Sequence, residues 1–178
     1  QSSRDPLTAL YNRRYFQNFI DAEIGSPVTP GREDHDTARA LLLIDLDHFK
    51  ETNDRFGHAL GDAVLVGVAE RRRSTVRETD MVVRWGGEEF LVLAKTAPER
   101  VDEIAARILR AVAAEPIVLN DKVIRATVSI GYAPMPLPPA RTPLSWDRAI
   151  GLVDMALYMA KVNGRNRAYG IQRLKGDG

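Results

Sequence analysis

Two short strings hold the acids in this chain whose types and spacing could do chemistry. Asp45-Leu46-Asp47 closes an apolar run, and Gly86-Gly87-Glu88-Glu89-Phe90 sets a pair of acids directly behind a pair of glycines. On an extended chain successive side chains alternate, so Asp45 and Asp47 face one way and Leu46 the other. Glycines at 86 and 87 let another molecule approach the backbone closely at a hairpin tip. If the two segments are neighbours, Asp45 and Glu88 converge on a hard cation. An oxygen-only ligand set, without Cys or clustered His, selects Mg²⁺ or Mn²⁺, and such an ion usually arrives with a phosphate. The plain alternative is that a hairpin tip is Gly-rich and charged because water surrounds it.

Alternating hydrophobic periods supply the frame for these residues. Arg13–Ile24 reads as a short amphipathic helix, and Ala40–Asp45 as a strand that ends in charge. Val64, Leu65, Val68 and Ala69 mark a helix face between Gly61 and about Val76. Met81–Trp85 and Phe90–Ala94 read as two strands joined by a tight hairpin at Gly86-Gly87. Val101, Ile104, Ala105, Ile108, Leu109 and Val112 repeat at helical spacing. Ile117–Leu119 and Val123–Tyr132 flank Asn120-Asp121 as a further hairpin. Trp146, Ala149, Ile150, Val153, Leu157 and Ala160 mark a last helix, with Gly164 as its left-handed cap. Gly25–Arg39 and Pro134–Pro143 read as loops, the second because it carries five of the ten prolines. Strands that alternate with helices yet include hairpins predict an α/β (α+β) layer fold, a mixed central sheet surrounded by helices.

Composition narrows the partners. At 178 residues, 44% hydrophobic and 28% charged, the chain is expected to be one soluble domain with a real core. Lys plus Arg is 25 against 24 Asp plus Glu, a net charge of +1. That balance argues against a grip on nucleic acid polymers or on anionic membranes, though it leaves room for a local anion site. With no cysteine, disulfides, thiolate zinc sites and a cysteine nucleophile are excluded, which fits a reducing, cytoplasmic setting. No apolar run approaches the ~18–20 residues of a membrane span. The chain opens on Gln1 without an initiator Met, so residues 1–178 are expected to be a single catalytic domain of a larger signalling protein.

The glycine–acid string resembles the active-site loop that names the GGDEF family, the diguanylate cyclases, in its GGEEF form. By residue frequencies such a five-residue match arises by chance in on the order of one chain in ten thousand. Its surroundings are similar too. Asp5 to Arg14 (DPLTALYNRR) resembles the family's opening DPLTGLPNRR turn, with Ala9 and Tyr11 in place of the usual Gly and Pro. Asp45–Lys50 (DLDHFK), Asn53-Asp54, Phe56-Gly57-His58, Gly61-Asp62, Ser129-Ile130-Gly131 and Ala160–Asn166 (AKVNGRN) follow in family order. Trp85 stands where Tyr or Phe is commoner. The resemblance runs from Asp5 to Arg167.

That resemblance implies a nucleotide-cyclase-like palm that condenses two GTP into cyclic di-GMP and two pyrophosphates. Each step is attack of a ribose 3′-hydroxyl on an α-phosphate, chemistry that metal ions serve by activating the hydroxyl and neutralising the phosphates. Two Mg²⁺ or Mn²⁺ ions per half-site are implied. By resemblance Asp45 binds both ions, the Leu46 carbonyl binds one, Glu88 is ligand and general base, and Glu89 completes the site. Gly86 and Gly87 leave room for phosphates. Lys50, about one helical turn beyond the aspartates, would meet the phosphates as a point charge. Lys161 and Arg165, four apart near a helix end, would share a face and clamp the β- and γ-phosphates, although cations are favoured there by the helix dipole anyway.

Asn53 and Asp62 are the implied guanine readers. A carboxylate accepts from guanine N1–H and the 2-amino group, and an amide meets the remaining edge. Asp62 could also cap the helix that follows it, and both roles could hold at once. His58 corresponds to a substrate-contacting position. Arg77 and Asp80 form the family's RxxD inhibitory site for cyclic di-GMP, with Asp80 six residues before Gly86 as the family has it. The expected activity is a diguanylate cyclase working as a homodimer under product feedback. The alternative is a catalytically silent receptor for GTP or cyclic di-GMP, and the whole glycine–acid loop favours the enzyme. A phosphotransferase with a polymerase-like palm shares the metal logic but would need a basic template groove.

Overall fold

The computed structural model describes residues 2–24, 38–137 and 145–171. Its centre is β2 (Arg39–Leu46), seven of whose eight residues are buried. A strand buried on both faces reads as a continuous apolar run, and Ala40 to Ile44 is one. Side chains nevertheless alternate between two cores. Ala40, Leu42, Ile44 and Leu46 enter one cluster, while Leu41 and Leu43 enter the other. Asp45 continues that second row, so the end of the row becomes polar where the strand meets the site.

β2 pairs antiparallel with β4 (Glu89–Lys95) on one side and with β7 (Val128–Met135) on the other. β3 (Met81–Arg84) pairs antiparallel with β4, and the edges add two short parallel strands, β1 (Tyr11–Asn12) and β8 (Ala168–Gly170). The order is β1-β3-β4-β2-β7-β8, the mixed sheet expected. On one face α3 (His58–Arg71) and α4 (Val101–Ala113) bury Val64, Leu65, Val68, Val101, Ala105, Ile108 and Val112. On the other, α1 (Arg13–Ile24) contributes Phe16 and Ile20, and α5 (Trp146–Val162) contributes Ala149, Val153 and Leu157.

α5 reaches the sheet unusually closely at β7. A Cβ on Gly131 would lie 2.0 Å from the Val153 carbonyl oxygen and 2.4 Å from the Leu157 nitrogen. Absence of a side chain there seats the helix backbone on the strand, and one turn beyond Leu157 is Lys161. The helix ends as expected, in a Schellman motif. Arg165 N–H donates to the Ala160 carbonyl at 3.0 Å and Gly164 N–H to the Lys161 carbonyl at 3.4 Å, with Gly164 at φ +127°.

Several boundaries differ from expectation. The strand expected over Val123–Tyr132 is two strands, β6 (Lys122–Ile124) and β7, because residues 125–127 leave the β5 (Ile117–Leu119) hairpin to enter the main sheet. Pro134 and Met135 belong to β7 rather than to a loop, and Leu137 is buried. Residues 138–143 of that segment, and 25–37 of the other expected loop, lie outside the described residues. The helix expected from Gly61 begins at His58, with Gly57 as N-cap, and it gives way at Arg72–Ser74 to a 3₁₀ turn. Asp62 therefore sits inside α3 and caps nothing. α2 (Phe49–Phe56) is an additional short helix, opened by His48 in the left-handed region at φ 57°. Too few apolar residues mark it for a period to be legible.

Candidate active site

The register of β2 against its neighbours assembles the acids. Asp45 lies opposite Glu89 on β4 and opposite Ser129 on β7, and Leu46 N–H donates to the Glu88 carbonyl at 3.1 Å. Asp45 is 5% exposed and accepts from the Lys161 ammonium at 2.7 Å. Burial raises the Asp45 carboxyl above its ordinary value, against the pull of Lys161. Glu88 and Glu89 are raised as well, each by burial first and then by the negative charge of Asp45. The opposing cations are Lys161 for both and Arg13 for Glu89. The three acids thus repel one another in partly desolvated surroundings.

The turn that carries Glu88 is wider than a two-residue hairpin. β3 ends at Arg84 and β4 starts at Glu89, with Trp85 and Gly86 N–H both donating to the Glu89 carbonyl. Neither Gly86 nor Gly87 has positive φ, so their conformational freedom is unused. Their size is what counts. A Cβ on Gly86 would come within 3.1 Å of Glu89 Oε1, and one on Gly87 would meet nothing within 4 Å. Gly86 makes room for the Glu89 carboxylate, and Gly87 faces open space. Trp85 fixes the base of the turn, edge-on to Phe16 and covered by the Arg13 guanidinium 4.0 Å from its ring centre.

Lys161 and Arg165 do not share a helix face. Lys161 lies on α5 and pairs with Asp45, whereas Arg165 lies past the end of the helix, in the Schellman turn, at φ 61°. Arg165 nonetheless remains near enough to lower Asp45. Lys50 is exposed in the first turn of α2, and His58 is exposed where α3 begins. Asn53, half-buried on α2, packs directly against Gly61 of α3, the residue that precedes the exposed Asp62. Arg77 and Asp80 occupy the turn before β3. Asp80 accepts from the backbone N–H of Arg77 at 2.9 Å and of Lys95 at 3.0 Å, which joins this turn to the end of β4. The Arg77 side chain is exposed.

Two further residues do work that their types alone do not announce. Asp47 points the same way as Asp45, yet it is a strut. It accepts from Ser129 Oγ and Thr127 Oγ1, both at 2.7 Å, and from the Asn166 N–H at 2.9 Å. Arg84 spans from the Asp5 carboxylate at 3.2 Å to the Gly87 carbonyl at 2.8 Å, tying the N-terminal turn to the glycine loop. The Asp-x-Asp alternation and the position of Arg84 two residues before Gly86 were the available signals.

Among the described residues, no three His, Asp or Glu side chains are disposed to hold a metal ion. The donor set nevertheless fits a hard divalent cation in kind. Its donors are carboxylate oxygens, and the burial and repulsion that raise them are what such an ion relieves.

A family model described as diguanylate cyclase, GGDEF domain, matches residues 2–167. The chain belongs to the GGDEF family. Among its relatives, Diguanylate cyclase TpbB of Pseudomonas aeruginosa is 39% identical over 177 residues, 98% of this chain and 38% of that protein. Diguanylate cyclase DgcM of Escherichia coli is 39% identical over 166 residues, 92% and 37% respectively. The chain thus spans well under half the length of these curated relatives. The isolated GGDEF domain of TpbB superposes with a TM-score of 0.78 at 36% identity, covering 94% of this chain and 93% of that one. The GGDEF domain of DgcB from Caulobacter crescentus, solved in complex with c-di-GMP, gives 0.80 at 30% identity over 96% and 93%. The mixed sheet and its helices are the GGDEF fold, an α+β palm.

Proposed function

We propose that this GGDEF domain is an active diguanylate cyclase half-site, condensing two GTP into cyclic di-GMP with release of two pyrophosphates. The observation that carries the reading is the convergence of buried Asp45 with Glu88 and Glu89 at an intact GGEEF turn. Glu88, whose carboxyl burial and Asp45 raise, would take the proton from an attacking ribose 3′-hydroxyl. Asp45, Glu88, Glu89 and the Leu46 carbonyl would hold Mg²⁺ or Mn²⁺, two ions per half-site. Such ions supply charge neutralisation at the α-phosphate and at the leaving pyrophosphate. Lys50, Lys161 and Arg165 would meet phosphate oxygens. Open space at Gly87 admits the triphosphate. Asn53 and Asp62 read the guanine edge and His58 contacts the substrate.

One domain holds one GTP, and a two-fold symmetric product suits two chains facing each other. Arg77 and Asp80 bind the product as an inhibitor. Because both Asp80 oxygens already hold backbone N–H groups, Arg77→Ala is the cleaner probe of that site. Residues 1–178 serve as one catalytic unit of a larger cytoplasmic signalling protein. Incubation with GTP and Mg²⁺ followed by nucleotide chromatography tests the activity directly. Cyclic di-GMP and pyrophosphate should accumulate, with specific activity rising with protein concentration. Bound but unconverted GTP would establish the receptor alternative instead.

A further inference from the structure

A helix interior is a poor position for glycine, and a buried oxygen is a poor position for an atom without a hydrogen bond. Both occur at one contact between α2 and α3. Gly61 is buried, lies in ordinary right-handed helix and has no positive φ, so conformational freedom is not the reason for it. A Cβ added there would lie 1.8 Å from Asn53 Oδ1 and 2.9 Å from its Cγ. The volume an alanine methyl would take is filled by the Asn53 amide. Asn53 Oδ1 is itself buried with no hydrogen-bond partner. The second glycine of α3 differs. A Cβ on Gly67 would first meet the Ile117 side chain, nearest at 3.0 Å on its flexible tip.

Stability alone accounts for neither half of this contact. Alanine would be the better helix former at 61, and an asparagine turned to water would satisfy its own amide. We infer that Gly61 is a positioning residue, whose missing side chain sets the orientation of the Asn53 amide and thereby the selection of guanine. The inference rests on the reading of Asn53 as a guanine reader. Any side chain at 61 pushes the amide out of its seat, while α3 itself gains helix propensity. The expected signature is a loss of base discrimination without a loss of fold.

The test is a cycle of Gly61→Ala, Asn53→Ala and the double variant. GTP and ATP binding are measured by calorimetry in Ca²⁺, alongside steady-state turnover in Mg²⁺ and a thermal melt. Gly61→Ala should cut the preference for GTP over ATP at least tenfold, mainly through KM. Asn53→Ala should cut it similarly, and the double variant no further than Asn53→Ala alone. In the Asn53→Ala background, which removes the collision, Gly61→Ala should raise the melting temperature. Losses that multiply in the double variant would overturn the inference, as would an unchanged preference in Gly61→Ala when Asn53→Ala has lost it. An unchanged preference in Asn53→Ala itself would remove the guanine-reader assignment, and the inference with it.

Discussion

Six of this domain's acids fall into two groups that their types do not separate. Asp5, Asp47 and Asp80 are surrounded by donors. Asp5 accepts from the Thr8 N–H and hydroxyl and from Arg84, Asp47 from two hydroxyls and an N–H, and Asp80 from two backbone N–H groups. Asp45, Glu88 and Glu89 share chiefly one ammonium, that of Lys161, and face one another. The consequence appears in their basicity. Burial alone would raise Asp5, but the Thr8 hydrogen bonds and Arg84 outweigh it and leave its carboxyl below the ordinary value. The three acids of the second group are all raised. Acids given donors hold the fold together. Acids given few are left to repel one another.

The largest test of this contrast is Glu88→Gln. It removes a charge from the unsatisfied group, so turnover should fall by about 10²–10³-fold, as for loss of a preorganised electrostatic group. The ion-free melting temperature should stay level or rise. Both are read from the same preparation, and a lowered melt would place Glu88 among the struts.

Asp47→Ala is the converse. Removing a carboxylate that holds Thr127, Ser129 and Asn166 leaves the buried Ser129 hydroxyl and the half-buried Thr127 hydroxyl without their acceptor and should cost about 2–3 kcal/mol. For a chain of this size that corresponds to roughly 5–10 °C in a calorimetric melt. An unchanged melt would break the comparison from its structural side.

Titration separates the two groups by sign. Asp5, lowered in the fold, contributes stability that is complete above the ordinary carboxyl value of about 4 and is lost as pH falls through its folded value. Glu88 and Glu89, raised in the fold, do the opposite. They release protons later than in the unfolded chain, so the ion-free domain loses stability as pH climbs from about 4 through their raised values. Urea midpoints of wild type and Glu88→Gln should therefore lie close together near pH 4 and diverge in favour of the variant towards pH 7. Arg84→Met should narrow the margin on the acid side of that profile.

The smallest expected effect sharpens the Asp5 corner. Ala9 adopts φ 62° and its N–H donates to the Asp5 carbonyl, where family members usually carry Gly. An L-residue in that conformation is strained by about 1–2 kcal/mol. Ala9→Gly should relieve it, less the added entropy of the unfolded chain, for a net gain of about 0.5–1 kcal/mol in urea denaturation.

Much of this was legible in the chain. The helical period of Val101 to Val112 and the apolar run of Ala40 to Ile44 depend on local burial alone, and both α4 and β2 follow them closely. The GGEEF turn and its flanking strands were legible because glycine size and adjacent acids are local properties. Structure decided what local properties do not contain. Register made Asp45 the neighbour of Glu89, since strand pairing is a contact between residues more than forty positions apart. Gly131, whose string follows the family order but whose role no local property announces, seats α5 and so brings Lys161 to Asp45. Asp45 and Asp47 are the same residue two positions apart on one face. Only the donors that β7 and the turn after α5 present to Asp47 make one a strut, while the other is held by a single ammonium beside two further acids. A side chain's chemistry is written in its type, but whether it is spent on the fold depends on partners that the chain brings from afar.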